Sequence, residues 1–250
     1  MGVSEQHSTG VPGHSGALKK ALADFMTAAE TLEATLNSLS IGEMNPEAYQ
    51  ALGNALEKPL QHLHGTYDRY VAAALKEDGK NITCKKGCSA CCRHYVSSVE
   101  PFEILGIHLR IRHAENYPDI LFASHDRVTR FDKIFKEEQG KGEASEAKDR
   151  SLYRYFVRGL ACPFLGKDGE CGIYESRPMS CRMFFSETSP RFCAGTSLAS
   201  PWNRNFQVEL PDEAEEALAR CSALLAGLEI PAELFAGVLE ANALFGKYDV

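Results

Sequence analysis

The sequence predicts a mainly α-helical protein: a helical domain with an N-terminal helical hairpin and a cysteine-ligated metal core containing a small β-hairpin. Two observations predict the helices and the core. Apolar residues recur in steps of three and four through both ends of the chain, which is the period of one helix face. All but one of the nine cysteines fall between residues 84 and 193, in two groups. Close thiol spacings of this kind let several sulfurs converge on one soft metal without long-loop entropy.

Residues 1–15 are polar and rich in Gly, Ser and His, and read as a disordered tail in which His7 and His14 are solvated. A helical hairpin is expected over 16–78. Its first arm carries Leu18, Leu22, Phe25, Ala29, Leu32, Leu36 and Leu39, a seam of about three heptads. Ile41-Gly42 breaks the seam, and Asn45-Pro46 restarts a helix with a cap and a first-turn proline. The second arm carries Tyr49, Leu52, Leu56, Leu60, Leu63, Tyr67, Tyr70 and Ala74, with Pro59 expected to kink or split it. His62 and His64 lie two residues apart, face different ways on a helix, and read as surface histidines.

The core is expected over 79–195. Its first group is Cys84, Cys88, Cys91 and Cys92. As a helix these would span about 100° of one face; a turn or metal knuckle at Gly87 would also bring them together. Helices follow at Val99–Arg112, with Phe102, Leu105 and Leu109 inward, and from Tyr117-Pro118 to about Glu138. Gln139–Asp149 reads as an exposed loop, and Ser151–Gly159 as a short helix delivering Cys162. Residues 161–174 read as a hairpin turning at Gly166-Lys167-Asp168-Gly169 and carrying Cys171. Arg177-Pro178 opens a short helix with Cys181, and Ser189–Leu210, with Pro190, Pro201 and Trp202, reads as irregular. Residues 196–250 are expected to supply C-terminal helices packing on the core. One stripe is Ala214, Ala217, Leu218, Cys221, Leu224, Leu225 and Leu228; the other includes Leu234, Val238, Leu239 and Leu244. Cys221 sits on its stripe and is assigned to the core, not to the site.

Eight candidate metal ligands remain: Cys84, Cys88, Cys91, Cys92, Cys162, Cys171, Cys181 and Cys193. Tetrahedral zinc or a cubane cluster takes about four thiolates, so eight suffice for two sites or for one with spare thiols. Adjacent side chains diverge on regular backbone, so the Cys91–Cys92 pair favours more than one centre. His94 is read as exposed or capping. Lys85, Lys86 and Arg93 flank the thiols and could balance their charge, although the lysines read as solvated.

The motifs Cys84-x3-Cys88-x2-Cys91-Cys92, Cys162-Pro163-Phe164-Leu165, Gly169-Glu170-Cys171-Gly172-Ile173-Tyr174 and Arg177-Pro178-Met179-Ser180-Cys181-Arg182 together resemble the CxxCxxCC, or YkgJ-type, family of cysteine-cluster proteins. The resemblance runs over about 82–185. It departs from the family's name in having three residues between the first two cysteines. It implies a zinc or iron site, and some relatives are linked to flagellin lysine methylation; it assigns no reaction. Arg177 and Arg182 belong to the matched motif and are expected to contact the ligands of the cofactor or the backbone around them. The all-sulfur donors and the Cys162-Pro163 step tilt the choice slightly towards an iron–sulfur cluster over zinc.

The formal charge of -7 argues against nucleic-acid binding, which needs a basic field. No apolar run approaches a membrane span, the first residues lack a signal-peptide core, and the chain reads as cytoplasmic, where thiols stay reduced. No phosphate-binding glycine loop and no Gly-x-Ser-x-Gly elbow is present. The expectation is an intracellular metal-binding protein serving redox or modification chemistry on an unidentified protein partner. The alternative is a noncatalytic zinc-stabilised interaction module.

Overall fold

A computed structural model describes residues 14–39, 45–85, 87–193 and 203–248. The expected tail up to residue 13 with His7, the break at Ile41-Gly42, Lys86, Pro201 and Trp202 lie outside the described residues. The architecture is mainly helical, with eight α-helices and one two-stranded antiparallel sheet among the described residues.

Helices α1 (Gly16–Asn37) and α2 (Pro46–Glu77) form the expected antiparallel pair. Ser15 caps α1 by accepting from Leu18 N, and Asn45 caps α2 by accepting from Ala48 N. Glu77, at the far end of α2, accepts from the Ser15 amide and hydroxyl, which ties the end of one helix to the start of the other. His14, assigned to the tail, also reaches Glu77, at 3.2 Å. The seam residues Phe25, Leu32, Leu36, Leu52, Leu56 and Leu63 are all buried. Replacing Leu32, which is fully buried, by Ala is therefore expected to cost about 2–5 kcal/mol in chemical denaturation. A wild-type midpoint would mean that the seam is not packed.

Pro59 does not divide α2. The helix runs through it because Leu56, Leu60 and Leu63 on either side are buried, and this packing offsets the missing hydrogen bond. His64 is a correction. It is buried at 5 % exposure, because its Nε2 meets the carboxylate of Glu103, 39 residues away in the chain, at 2.9 Å.

Helices α3 (Pro101–Ile111) and α4 (Tyr117–Gln139) each carry proline in the first turn. The loop expected after α4 is shorter than predicted, since α5 (Ala147–Val157) starts within it and packs on α4. Helix α7 (Asp212–Ala223) lies against α1, and α8 (Leu234–Phe245) against α3 and α4. Cys221 is fully buried and faces Ala29 O, as its place on the apolar stripe predicts.

Two features of this frame position the cysteines. Tyr95 stacks on Phe131 at 3.8 Å and meets Tyr155 and Phe235 edge-on, which anchors the chain just beyond Cys92. Ser97 pairs with Glu233, while Val99 N donates to Ala232 O and Leu234 N to Val96 O. The segment leaving the first cysteine group is thereby fastened to the start of α8.

The sheet corrects the irregular reading of 189–210. Strand β1 (Phe184–Ser186) pairs antiparallel with β2 (Asn205–Gln207), with Phe185 opposite Phe206. Strands of three residues are too short to show a period of two, so side-chain pattern does not reveal them. The expected hairpin at 161–174 is reduced to one bridge, Leu165 with Cys171, closed by Gly166 N to Glu170 O. Gly169 supplies the positive φ of 81° that the turn requires. No helix among the described residues is long and apolar enough to cross a membrane.

Candidate metal centre

The first cysteine group folds as successive turns, not as a helix. Cys88 N donates to Lys85 O, Cys92 N to Ser89 O and His94 N to Cys91 O, and Gly87 takes a φ of 83°. Glycine at that position lets the chain reverse between Cys84 and Cys88 without steric cost. The second group is joined to the first through the backbone, because Cys162 N donates to Cys92 O at 2.8 Å. Cys171 follows the 166–169 turn, and Cys181 lies on the short α6 (Met179–Arg182).

All nine cysteines are free thiols. Eight of them, Cys221 apart, lie in two neighbourhoods that meet at Cys91. In the first, burial pushes the Cys84 pKa up, the Ser186 backbone N–H pulls it down, and negative charge on Cys88, Cys91 and Cys193 raises it again. Burial also raises Cys193; the Ser186 hydroxyl opposes this, and Cys88 and Cys91 add to it. Cys193 Sγ in turn lies 3.3 Å from Asn205 Oδ1 on β2.

In the second neighbourhood, burial pushes Cys162 far up, the Phe164 N–H opposes it, and Cys181 and Cys171 raise it further. Burial drives Cys181 up to about 12, with Cys91 and Cys171 adding to the rise and Arg177 countering it. Cys171 is raised by burial and lowered by the Ile173 N–H, Arg177 and Arg182. Cys91 is raised most strongly by its hydrogen bond with Cys92, then by burial and by charge on Cys92. Cys193 thus joins Cys84 and Cys88, although the sequence places it with the downstream group.

The two arginines divide their work. Arg182 is buried; it donates to Arg177 O at 2.8 Å, to Glu175 O at 2.8 Å, to Tyr174 O at 3.3 Å and to Asp68 of α2 at 2.7 Å. It therefore holds the loop between Cys171 and Cys181 against α2. Arg177 stacks on the Tyr174 ring at 4.5 Å, and its positive charge reaches Cys91, Cys171 and Cys181. His94 is corrected from exposed to half-buried: it stacks on Phe156 at 3.8 Å, and burial depresses its pKa to about 4. That stacking makes it a packing residue.

Ser186, Arg127 and Glu103 escape a reading of the sequence alone. Ser186 reaches Cys84 and Cys193 and also accepts from Thr83 N. Arg127 donates to Ala161 O at 3.0 Å and places its charge near Cys162. Glu103 accepts from Met179 N at 2.8 Å, which fixes the start of α6. None carries a local signal, because the cysteine or helix that each one serves is brought to it by the fold.

The donor set fits a thiophilic metal or an iron–sulfur cluster. The grouped atoms are all sulfur, backbone N–H groups point at Cys84, Cys162 and Cys171, and such bonds favour the thiolate form. Arg177 Nε and Ser180 Oγ, on the segment that carries Cys181, are buried without hydrogen-bond partners. Buried polar atoms of this kind call for a further polar group. The thiols stand as neighbours and not as a closed shell: among the described residues, no three Cys, His, Asp or Glu side chains are grouped to hold a metal ion.

Compared with known proteins, residues 83–197 match the model of the CxxCxxCC family, described as a putative zinc- or iron-chelating domain. No curated protein and no solved structure matches the chain.

Proposed function

From the match of residues 83–197 to the CxxCxxCC zinc- or iron-chelating domain model, we propose that the chain is an intracellular iron–sulfur protein with two centres. Cys84, Cys88 and Cys193 hold one centre and Cys162, Cys171 and Cys181 the other, each completed by one thiol of the Cys91–Cys92 pair. The observation that carries this reading is the meeting of two three-thiol neighbourhoods at Cys91. Cys91 and Cys92 hydrogen-bond to each other where the two neighbourhoods meet, so the pair is placed to give one thiol to each centre. Iron–sulfur is preferred to zinc because every grouped donor is sulfur and Arg177 offers positive charge to three of the thiols. Such centres supply one-electron transfer, and the use proposed here is redox or modification chemistry on a macromolecular partner.

In this reading the chain's own residues set the environment. Arg177 compensates thiolate charge, Ser186 hydrogen-bonds two thiols of one centre, and Arg182 keeps the loop of the other closed. Protein purified without oxygen is expected to be brown, with iron and acid-labile sulfide in similar amounts. A colourless protein holding zinc at full occupancy overturns the iron–sulfur assignment and leaves the zinc-stabilised interaction module.

A further inference from the structure

Behind the cysteine centre, a cleft of about 330 Å³ opens between α2 and α3. Its volume falls at the small end of ligand pockets. Two glycines stand on its walls. A Cβ at Gly106 would come within 2.4 Å of Leu60, and one at Gly53 within 3.3 Å of Leu109, so their absence lets the helices approach closely. Leu56, Leu60, Ile107 and Leu109 make the walls apolar.

At the floor, the cleft is lined by the buried pair His64 and Glu103, 5 % and 1 % exposed. The Glu103 carboxylate accepts from His64 Nε2 at 2.9 Å, Met179 N at 2.8 Å and Glu100 N at 3.4 Å. With Nε2 donating to Glu103, Nδ1 of His64 is the ring nitrogen left to accept a hydrogen bond from a ligand. Ser176 Oγ also lines the cleft and is buried without a partner, although a hydroxyl in such a place normally has one. At the mouth stands Arg110, exposed and in no ion pair among the described residues. Arg112 lies next to it, over the Tyr49 ring at 4.6 Å. Acceptors therefore lie deep, cations lie at the entrance, and hydrocarbon lies between.

We propose that this cleft binds a small organic acid with an apolar body. The carboxylate sits at the Arg110–Arg112 mouth, and a hydroxyl or ammonium group at the other end meets His64 Nδ1 and Ser176 Oγ. Glu103 at depth disfavours a second anion there and favours such a donor. The site stands apart from the identity of the metal, since none of the residues that hold the ligand is a cysteine. It is linked to the centre through Glu103, which also grips Met179 on the helix of Cys181.

The test is calorimetric titration of the full-length, as-purified protein with ω-hydroxyhexanoate, ω-aminohexanoate and unsubstituted hexanoate. One of the first two is expected to bind at least about tenfold more tightly than hexanoate, and comparing them tells hydroxyl from ammonium. Arg110→Ala is expected to weaken that binding about tenfold. Asn54→Trp, which places an indole on the exposed rim, should abolish it. Metal content and melting temperature, measured on both variants, are expected to stay at wild-type values, which separates failure of this site from failure of the metal centre. The proposal is overturned if no probe binds, if hexanoate binds as well as both substituted acids, or if binding survives Asn54→Trp.

Discussion

Serine at Cys84 or Cys193 is expected to remove about half of the bound metal and sulfide, and serine at Cys162 or Cys181 the other half. The expectation follows from which sulfurs feel each other's charge. Cys84 and Cys193 each respond to Cys88 and Cys91, whereas Cys162 and Cys181 respond to Cys171. Losing one thiolate from a four-thiolate centre costs most of that centre's affinity and leaves a centre with separate ligands loaded. Serine at Cys91 and at Cys92 should likewise take one half each, because the pair is divided between the centres. Iron and sulfide analysis of the six variants, combined with the double variant Cys84→Ser/Cys181→Ser, reads this directly. Complete loss in every single variant would mean one shared centre and would discard the two-centre arrangement.

Replacing Arg182 by Ala is expected to destabilise the protein by about 3–5 kcal/mol, the scale for removing one side of a buried charged hydrogen-bond set. The guanidinium satisfies three backbone carbonyls and the Asp68 carboxylate, and its side chain is only 4 % exposed. Asp68 is about half exposed, so the larger part of the loss comes from the three carbonyls left behind. Arg182→Lys should recover little, since one ammonium cannot reach all four acceptors in the plane of a guanidinium. Urea denaturation of the three proteins measures the effect, and hydrogen exchange should show residues 174–181 opening first. A loss below about 1 kcal/mol would show that the loop is held by something else.

Much of the helical frame was legible before any coordinates. Asn45-Pro46 and Tyr117-Pro118 mark helix starts because caps and first-turn prolines act within a few residues. The seams of α1 and α2 were legible because burial of one face repeats every three or four residues. Where local rules compete with packing they mislead. Pro59 was expected to kink or split α2, and it does not split it: the helix continues through it with buried leucines on either side. His64 looked like a surface histidine because the carboxylate that makes its burial tolerable belongs to another helix.

The sequence by itself determined that this protein is mainly helical, that its cysteine-rich residues 83–197 match the model of a zinc- or iron-chelating domain, and that Cys221 belongs to packing. Helix periodicity and close thiol spacing are local, so they can be read from one strand of text. Tertiary structure alone decided which thiols are neighbours. It set Cys193 beside Cys84 and Cys88, where Ser186 of β1 reaches both Cys84 and Cys193 and Asn205 of β2 lies against Cys193. The strands join segments about twenty residues apart, and the bond from Thr83 N to Ser186 O joins segments about a hundred apart, all through the backbone. Backbone bonds are made alike by every residue type except proline, so they leave no mark in the order of side chains.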